Sequence, residues 1–270
     1  MKYPKDAEER PEATFDVVGI GNAIVDVISH ESDQFLKEFE LVKESMALID
    51  TELAVNIYEK MSSTSQSSGG SAANTMTGIT SLGGSAAYIG KVRKDSLGEF
   101  FIQDIHNAKV HYSLDPAPNG LPTARSMIIV TPDGARTMNT YLGISTTLYK
   151  EDLDIEVLEN SKVLYCEGYI WDIEATKETI RSAMAIAKGA GRKISFTLSD
   201  SFCVLRHHQD WIDLVNGPID ILFGNEEEIQ ALSGSDTFEE AVNWVKGRVE
   251  IACLTRADKG SVIVHQEEII

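Results

Sequence analysis

The chain alternates between short apolar runs rich in β-branched residues and longer runs with the spacing of amphipathic helices. Such apolar runs predict strands that are buried on both faces, as in a parallel sheet. The alternation predicts right-handed β-α-β units, and so an α/β fold with a mainly parallel sheet flanked by helices on both faces. The predicted strands are residues 15–21, 86–92, 162–167, 193–198, 219–223, 251–255 and 261–266, and the main predicted helices are residues 53–61, 75–82, 175–188, 226–232 and 237–245.

Residues 121–143 depart from this alternation. Two strand-like runs, 126–131 and 135–141, are joined by a Pro-Asp-Gly sequence that is typical of a turn. A hairpin inserted into an α/β chain predicts a small β lid and not another strand of the main sheet. We therefore expect lid segments at about 45–52 and 121–143.

The remaining organisation follows from local composition. Residues 1–14 are charged and contain two prolines, which predicts a flexible tail before an α/β domain at 15–270. Residues 62–68 are almost all Ser, Thr and Gln. Because this run directly precedes two glycines, it predicts a loop that closes over a site.

The charge of the chain limits its partners. Its 24 basic and 42 acidic residues give a formal net charge of -18, which argues against binding to nucleic acid or to an anionic membrane surface. The three cysteines are far apart and follow no disulfide or metal spacing, so we expect reduced thiols in a cytoplasmic protein and no structural zinc site. His207-His208 lies in a polar stretch, which predicts a solvated pair.

The pair Gly69-Gly70 directly precedes a predicted helix. Glycine adopts positive φ readily and has no Cβ, so it lets another group approach the backbone closely. Free N–H groups at a helix N-terminus suit a hydroxyl-rich or anionic ligand. The alternative is an ordinary glycine turn before a helix.

Asn22 and Asp26 follow the first predicted strand. Open α/β sheets bind ligands in the crevice at the carboxyl ends of their strands, so both residues are candidates for ligand binding. The alternative for Asp26 is a turn residue or a helix cap. A dinucleotide-binding fingerprint starting at Gly19 fails, because Ile24 stands where a third small residue is needed.

Several short motifs occur together in an order and spacing that resemble the ribokinase-like (PfkB) family of sugar and nucleoside kinases, most closely its adenosine kinase branch. The resemblance runs from about Phe15 to the end of the chain. The motifs are Gly21-Asn22-x-x-x-Asp26, Gly69-Gly70-Ser71-x-x-Asn74, Gly90-x-x-x-x-Asp95-x-x-Gly98, Arg136, Gly168-Tyr169 and Asn225-Glu226-x-Glu228.

The resemblance implies an enzyme that transfers a phosphoryl group from MgATP to a primary hydroxyl of adenosine or a related ribose compound. It implies that one set of residues holds the substrate: Asn22, Asp26, Gly69, Gly70, Asn74 and Tyr169. Asn74 could instead bond only the backbone. Tyr169, or Trp171 beside it, would stack on a purine, whereas aromatic residues at a strand end are otherwise usually part of the core.

The resemblance also implies a nucleotide site. Arg136 would reach from the lid to the transferred phosphate, although it could equally be an ordinary surface arginine. Asn225, Thr255 and Gly260 would contact ATP, and Glu228 would bind Mg²⁺ through water. Asn225 also fits as the N-cap of the acidic helix start that follows it.

The chain departs from the family pattern near its end. The family's Gly-Ala-Gly-Asp motif, whose Asp acts as general base, does not occur up to Ile270, and Ala257 stands where the nucleotide loop commonly has Gly. We expect a C-terminally incomplete member whose general base lies beyond Ile270. The alternatives are a free-sugar kinase of the ribose or fructose type and a non-catalytic nucleoside-binding relative. An exposed lid edge could pair with a second subunit to form a homodimer.

Overall fold

The computed structural model describes residues 13–270, so most of the predicted tail lies outside the described residues. The strands are β1 Phe15–Ile20, β2 Ile24–His30, β3 Met46–Leu48, β4 Thr64–Gly69, β5 Ala86–Ile89, β6 Ala124–Val130, β7 Arg136–Tyr141, β8 Ser161–Glu167, β9 Lys193–Thr197, β10 Ile221–Asn225, β11 Ile251–Thr255, β12 Ser261–His265 and β13 Glu268–Ile269. The helices are α1 Asp33–Glu38, α2 Thr51–Lys60, α3 Ser71–Ser81, α4 Ser96–Asn107, α5 Ile155–Glu159, α6 Glu174–Gly189, α7 Ser201–Arg206, α8 His208–Val215, α9 Glu226–Ser233 and α10 Phe238–Val245.

The main sheet has eight strands in the order β13-β12-β11-β10-β9-β8-β1-β5. The strands from β5 to β11 in this order pair in parallel, and only β12 and β13 are antiparallel. This confirms the predicted α/β class. The carboxyl ends of the parallel strands therefore meet at one edge of the sheet, as the crevice argument requires.

Alternate residues of β1 show that the sheet is covered on both faces. Val18 and Ile20 are fully buried in a cluster with residues of α6, α8 and α9. Val17 and Gly19 face the other way: Val17 packs in a second cluster, and a Cβ at Gly19 would lie 2.8 Å from the Met76 side chain of α3. Helices on opposite faces cover the strand and bury its last three residues, which explains its mainly apolar sequence.

A second sheet has five strands in the order β3-β7-β6-β2-β4. It contains the predicted hairpin as β6 and β7, and part of the segment 45–52 as β3. The strands β2 and β4 were not predicted. They pair antiparallel over six residues, from Ile24 with Gly69 to Ser29 with Thr64.

The prediction of a loop at 62–68 is wrong, because most of this run forms the edge strand β4. Most of its side chains are exposed or only partly buried, so its sequence lacks the apolar alternation that marks a half-buried strand. Backbone pairing with β2 defines the strand instead. On its outer side, the Ser68 N–H donates to the Asp104 carboxylate of α4 (2.7 Å), which satisfies an edge group of the sheet.

No helix within residues 13–270 is long and apolar enough to cross a membrane.

The packing of α4 depends on the absence of a side chain at Gly98. A Cβ there would lie 1.9 Å from the Arg93 carbonyl oxygen, which belongs to the backbone and cannot turn aside. We expect Gly98→Ala to lower the free energy of unfolding by about 1–3 kcal/mol through overpacking. Urea denaturation of the purified variant measures this change.

Gly78 of α3 supplies the matched control, since a Cβ added there meets no atom within 4 Å. Gly78→Ala should raise the free energy of unfolding by up to about 1 kcal/mol, because alanine is the better helix former. Equal effects of the two substitutions would contradict this account of Gly98.

Candidate functional site

A cavity of about 410 Å³ lies between the carboxyl ends of the main sheet and one face of the second sheet. Its main-sheet side carries residues that follow β1, β8 and β9, and its other side carries residues of β2, β3 and β7. The lining residues are Asn22, Ile24, Met46, Leu48, Ser71, Met138, Thr140, Leu142, Glu167, Tyr169, Asp172, Asp200, Phe202 and Arg206. The cavity therefore occupies the crevice in which open α/β sheets bind their ligands.

The glycine pair joins β4 to α3 by close backbone contact. Gly70 has φ 92°, and a Cβ on it would lie 2.3 Å from the Asn22 carbonyl oxygen. A Cβ on Gly69 would lie 2.5 Å from the Asp26 carboxyl group. A side chain at either position would collide with another part of the chain, so both positions need glycine. Without side chains there, the segment after β1 lies directly against the start of α3.

Glu167, the last residue of β8, holds these segments together. It is 1% exposed, and its carboxylate accepts hydrogen bonds from the Asn22 N–H (2.7 Å), the Ser71 hydroxyl (2.6 Å) and the Ala72 N–H (2.9 Å). Burial raises the pKa of the Glu167 carboxyl, although these hydrogen bonds oppose the shift.

Sequence reasoning missed Glu167, although a carboxylate at the end of an apolar strand was a visible signal. Its position alters one expectation about the start of α3, which begins at Ser71 and not at Thr75. The Ala72 N–H in its first turn donates to Glu167 and is not free for a ligand. A protein carboxylate thus stabilises the helix N-terminus.

Asp26 lies within β2, and not in a turn or at a helix cap as the alternative interpretation had it. It shares a strand face with the cavity-lining Ile24, since side chains alternate along a strand. Among the described residues, its carboxylate has no hydrogen bond or ion pair. Burial raises its pKa from 3.8 to about 6. A desolvated carboxylate without a donor is a group that a hydroxyl ligand would satisfy.

The remaining predicted substrate residues differ in position. Tyr169 lines the cavity, and its hydroxyl donates to the Ser199 carbonyl (3.1 Å). Asn74 is exposed in the first turn of α3, and its N–H donates to the Gly70 carbonyl. Trp171 cannot stack on a ligand, because it is fully buried and donates its indole N–H to Asp210.

Arg136 lies outside the cavity lining. It is the first residue of β7, on the same strand face as Met138 and Thr140, which do line the cavity. Its partner in the sheet is Val130, at the end of β6 away from the cavity. Its side chain is exposed, and its contact with a phosphate stays a prediction.

The predicted nucleotide residues form a separate group at the ends of β10 and β11. Asn225 pairs with Thr255 in the sheet, while Gly260 (φ 87°) ends the turn that follows. The same turn holds Ala257 at φ 50°, a conformation that glycine adopts more easily. The chain thus retains the left-handed backbone in this loop without the glycine that is common in the family.

Asn225 and Glu228 form a capping box at the start of α9. The Asn225 side chain accepts from the Glu228 N–H (2.9 Å), and the Glu228 carboxylate accepts from the Asn225 N–H (2.9 Å) and Nδ2 (2.8 Å). The helix-cap interpretation of Asn225 is therefore correct. Each Glu228 oxygen accepts one hydrogen bond and retains a lone pair, so the carboxylate is able to accept a hydrogen bond from a metal-bound water.

A parallel sheet with a cavity at its carboxyl edge, bounded by a smaller β sheet, is the architecture of the ribokinase-like kinases. The chain belongs to the pfkB family of carbohydrate kinases, whose pattern matches residues 40–270.

Two solved structures are similar to this chain along most of its length. A probable sugar kinase from Rhizobium etli CFN 42 is 46% identical, with a TM-score of 0.87, and the match covers 96% of this chain and 78% of that one. The adenosine kinase from Sinorhizobium meliloti is 45% identical, with a TM-score of 0.87 and coverage of 96% and 79%.

Among curated proteins, the guanosine-inosine kinase of Escherichia coli (strain K12) is 24% identical over 244 residues, which are 85% of this chain and 56% of that protein. The chain thus spans about half the length of this relative. Both nucleoside and sugar kinases occur among the similar proteins.

The pKa of Asp26 predicts a pH-dependent effect on stability. A raised pKa in the folded state means that the favourable contribution of the neutral acid is present below pH 3.8 and is lost as the pH rises to about 6. We expect Asp26→Asn to be more stable than the parent at pH 7, by about 1–2 kcal/mol after allowance for solvent screening, and equally stable only at about pH 3, below the unfolded-state pKa of 3.8. Urea denaturation across this pH range measures the difference.

Asp16→Asn is the control with the opposite sign. The hydrogen bond from Lys162 holds the pKa of the exposed Asp16 carboxyl at about 2, so its removal should give no gain at pH 7. A pH-independent effect of Asp26→Asn would contradict the assigned desolvation.

Proposed function

We propose that this protein is an ATP-dependent kinase that transfers a phosphoryl group to a primary hydroxyl of adenosine or a related ribose nucleoside bound in the cavity. The proposal rests on one observation about Asp26. Its carboxylate is desolvated, has no partner among the described residues, and lies over Gly69 beside the cavity. Ribose presents vicinal hydroxyl groups, which are the donors that such a carboxylate lacks. The 45% identity to an adenosine kinase over 96% of the chain supports this substrate class.

The proposed ribose site combines Asp26 with the junction around Glu167. Asn22 and Ser71 line the cavity, and Glu167 fixes both of them by hydrogen bonds. Gly69 and Gly70 let the Asp26 carboxylate and the Asn22 backbone lie against the start of α3, where the sugar would contact the chain, and Asn74 would reach it from the first turn of α3. A site fixed in this way loses little free energy to ordering when the ligand binds.

The proposed base site is the apolar part of the cavity. Met46, Leu48 and Met138 of the second sheet are 47%, 56% and 38% exposed, and Phe202 is 73% exposed. Together with Tyr169 they offer apolar surface that a purine would cover. A free sugar would leave most of this surface in contact with water.

ATP and Mg²⁺ would be held outside this part of the cavity. Asn225, Thr255 and Gly260 would contact the nucleotide, Glu228 would orient Mg²⁺ through water, and Arg136 would approach the transferred phosphate from the second sheet. The bound metal supplies charge neutralisation for the phosphates. In the transfer the acceptor oxygen would bond to the γ-phosphorus, the bond from this phosphorus to ADP would break, and the acceptor proton would pass to a general base.

We also propose a cellular compartment and an oligomeric state for the protein. The cysteines Cys166, Cys203 and Cys253 are free thiols, which supports a reducing compartment such as the cytoplasm. A homodimer formed through an edge of the second sheet stays a prediction.

A free-sugar kinase is the second candidate, supported by the 46% identity to a probable sugar kinase. Calorimetric titration with adenosine and, in parallel, with ribose distinguishes the two. We expect saturable binding of adenosine and little heat with ribose. Ribose binding without adenosine binding would move the chain to the sugar kinases, and no binding of either by the folded protein would contradict the assigned site.

The apolar side of the cavity gives a sharper test of the nucleoside proposal. Leu48→Ser removes apolar surface from an exposed strand without touching the ribose residues. We expect about tenfold weaker adenosine binding, corresponding to roughly 1.4 kcal/mol of lost apolar contact. Val42→Ser is the control, since Val42 is 71% exposed and lies outside the cavity lining. An equal effect of both substitutions would contradict a base site at Leu48.

A further inference from the structure

Within residues 13–270, one group of side chains places a sulfur, a nitrogen and an oxygen together at the rim of the cavity. Cys203 Sγ, His207 and Asp172 each offer a ligand atom, and these atoms all lie within 4.8 Å of one another. Cys203 and His207 are four residues apart on and just after α7, so they share one side of a helical turn. Asp172 ends the helical turn Gly168–Asp172 that follows β8.

Thiolate, imidazole and carboxylate are together a ligand set that favours zinc, and magnesium has little affinity for sulfur. We propose that Asp172, Cys203 and His207 form a binding site for a zinc ion. Three protein ligands leave the fourth tetrahedral position to water. The site is independent of the proposed kinase function.

The three ligand atoms lie within 4.8 Å of one another, so zinc binding would change their separations by up to roughly 1.2 Å. Zinc ligands lie at about 2.0–2.2 Å for nitrogen and oxygen and about 2.3 Å for sulfur, so tetrahedral neighbours are separated by roughly 3.3–3.6 Å. His207 Nε2 and Asp172 Oδ1 are 2.7 Å apart, so they would separate by roughly 0.6 Å. The Cys203 thiol, which now donates to the Gly168 carbonyl (3.4 Å), would lose its proton to solvent as zinc binds.

Arg206 already orients the carboxylate. Its Nη2 donates to Asp172 Oδ2 (2.9 Å) and its Nε to Oδ1 (3.1 Å). When zinc takes Oδ1, the bond to Oδ2 can remain, and such outer partners hold a ligand in position. The thiolate and the Asp172 carboxylate would balance the two positive charges of zinc. Arg206 would then give the zinc, its ligands and Arg206 together a net charge of +1.

The position of the three ligands means that a bound zinc ion would affect the rim of the cavity. Asp172, Phe202 and Arg206 line the cavity, whereas Cys203 and His207 lie behind them. A zinc ion would therefore link α7 to the turn at 168–172 and fix one side of the cavity rim.

Cobalt(II) titration of the metal-free protein tests the proposal, because a cobalt–thiolate bond gives a near-ultraviolet charge-transfer band. We expect one equivalent of Co²⁺ to produce this band and one equivalent of Zn²⁺ to remove it. Cys203→Ser should abolish the band, and His207→Gln should weaken zinc binding at least about tenfold in competition with a chromophoric chelator.

Two control variants separate the site from other causes. Cys253→Ser removes a thiol outside the group and should leave the band unchanged. Arg206→Gln breaks the ion pair with Asp172 but keeps all three ligands, so it should retain the band. Absence of the band in the parent protein, or its persistence in Cys203→Ser, would overturn the proposal and leave Asp172 as an ion-pair partner only.

Discussion

The Glu167 carboxylate is the contact on which the site depends. It is buried at the end of β8, where an unpaired charge would be costly, and three donors from two other parts of the chain surround it. Asn22 belongs to the link between the two sheets, while Ser71 and Ala72 begin α3. One carboxylate therefore sets the position of the second sheet, the helix and the main sheet relative to one another, and the cavity is the space that remains between them.

The Asp26 carboxylate differs from that of Glu167 in its hydrogen bonding. It lies in the same region, but the described residues give its carboxylate no donor, and burial raises its pKa. Glu167 holds the junction by hydrogen bonds, although burial raises its pKa as well. We expect Asp26, whose carboxylate has no such bonds among the described residues, to lower the stability of the folded protein at neutral pH. A free energy cost of this kind at a cavity is typical of groups that act on a ligand. In the proposed function, Glu167 would hold the segments of the site in place and Asp26 would bind the substrate.

The main sheet was predicted well from the sequence, because its strands and helices have local apolar and periodic patterns. The apolar run 162–167 is β8, and the periodic run 175–188 is most of α6. The second sheet was only partly predictable. Its hairpin has a local turn signal, but β4 is a polar edge strand that exists because β2 pairs with it.

The residues of the candidate site were, like the second sheet, only partly predictable from the sequence. Asn22, Asp26 and the glycine pair were predicted from motifs. Asn22 lines the cavity, whereas Asp26 and the glycine pair are close to one another and to the Asn22 segment without lining the cavity. Glu167 was not found, since its partners are 95 to 145 residues away in the chain and no local pattern connects them. Cys203 and His207 were set aside for the same reason, because their third partner, Asp172, lies on another segment.

The charges of the cavity bear on which reactant it accepts. Its lining includes the acidic residues Glu167, Asp172 and Asp200, and its one cationic side chain among the described residues, Arg206, is already paired with Asp172. The whole chain carries a formal net charge of -18. A triphosphate would be repelled from such a space unless a metal ion neutralised it, whereas an uncharged nucleoside or sugar would meet acceptors for its hydroxyl groups. For the proposed kinase, the electrostatics of the cavity would therefore favour the acceptor substrate there, and neutralisation of the phosphates would depend on Mg²⁺ and on residues outside the cavity.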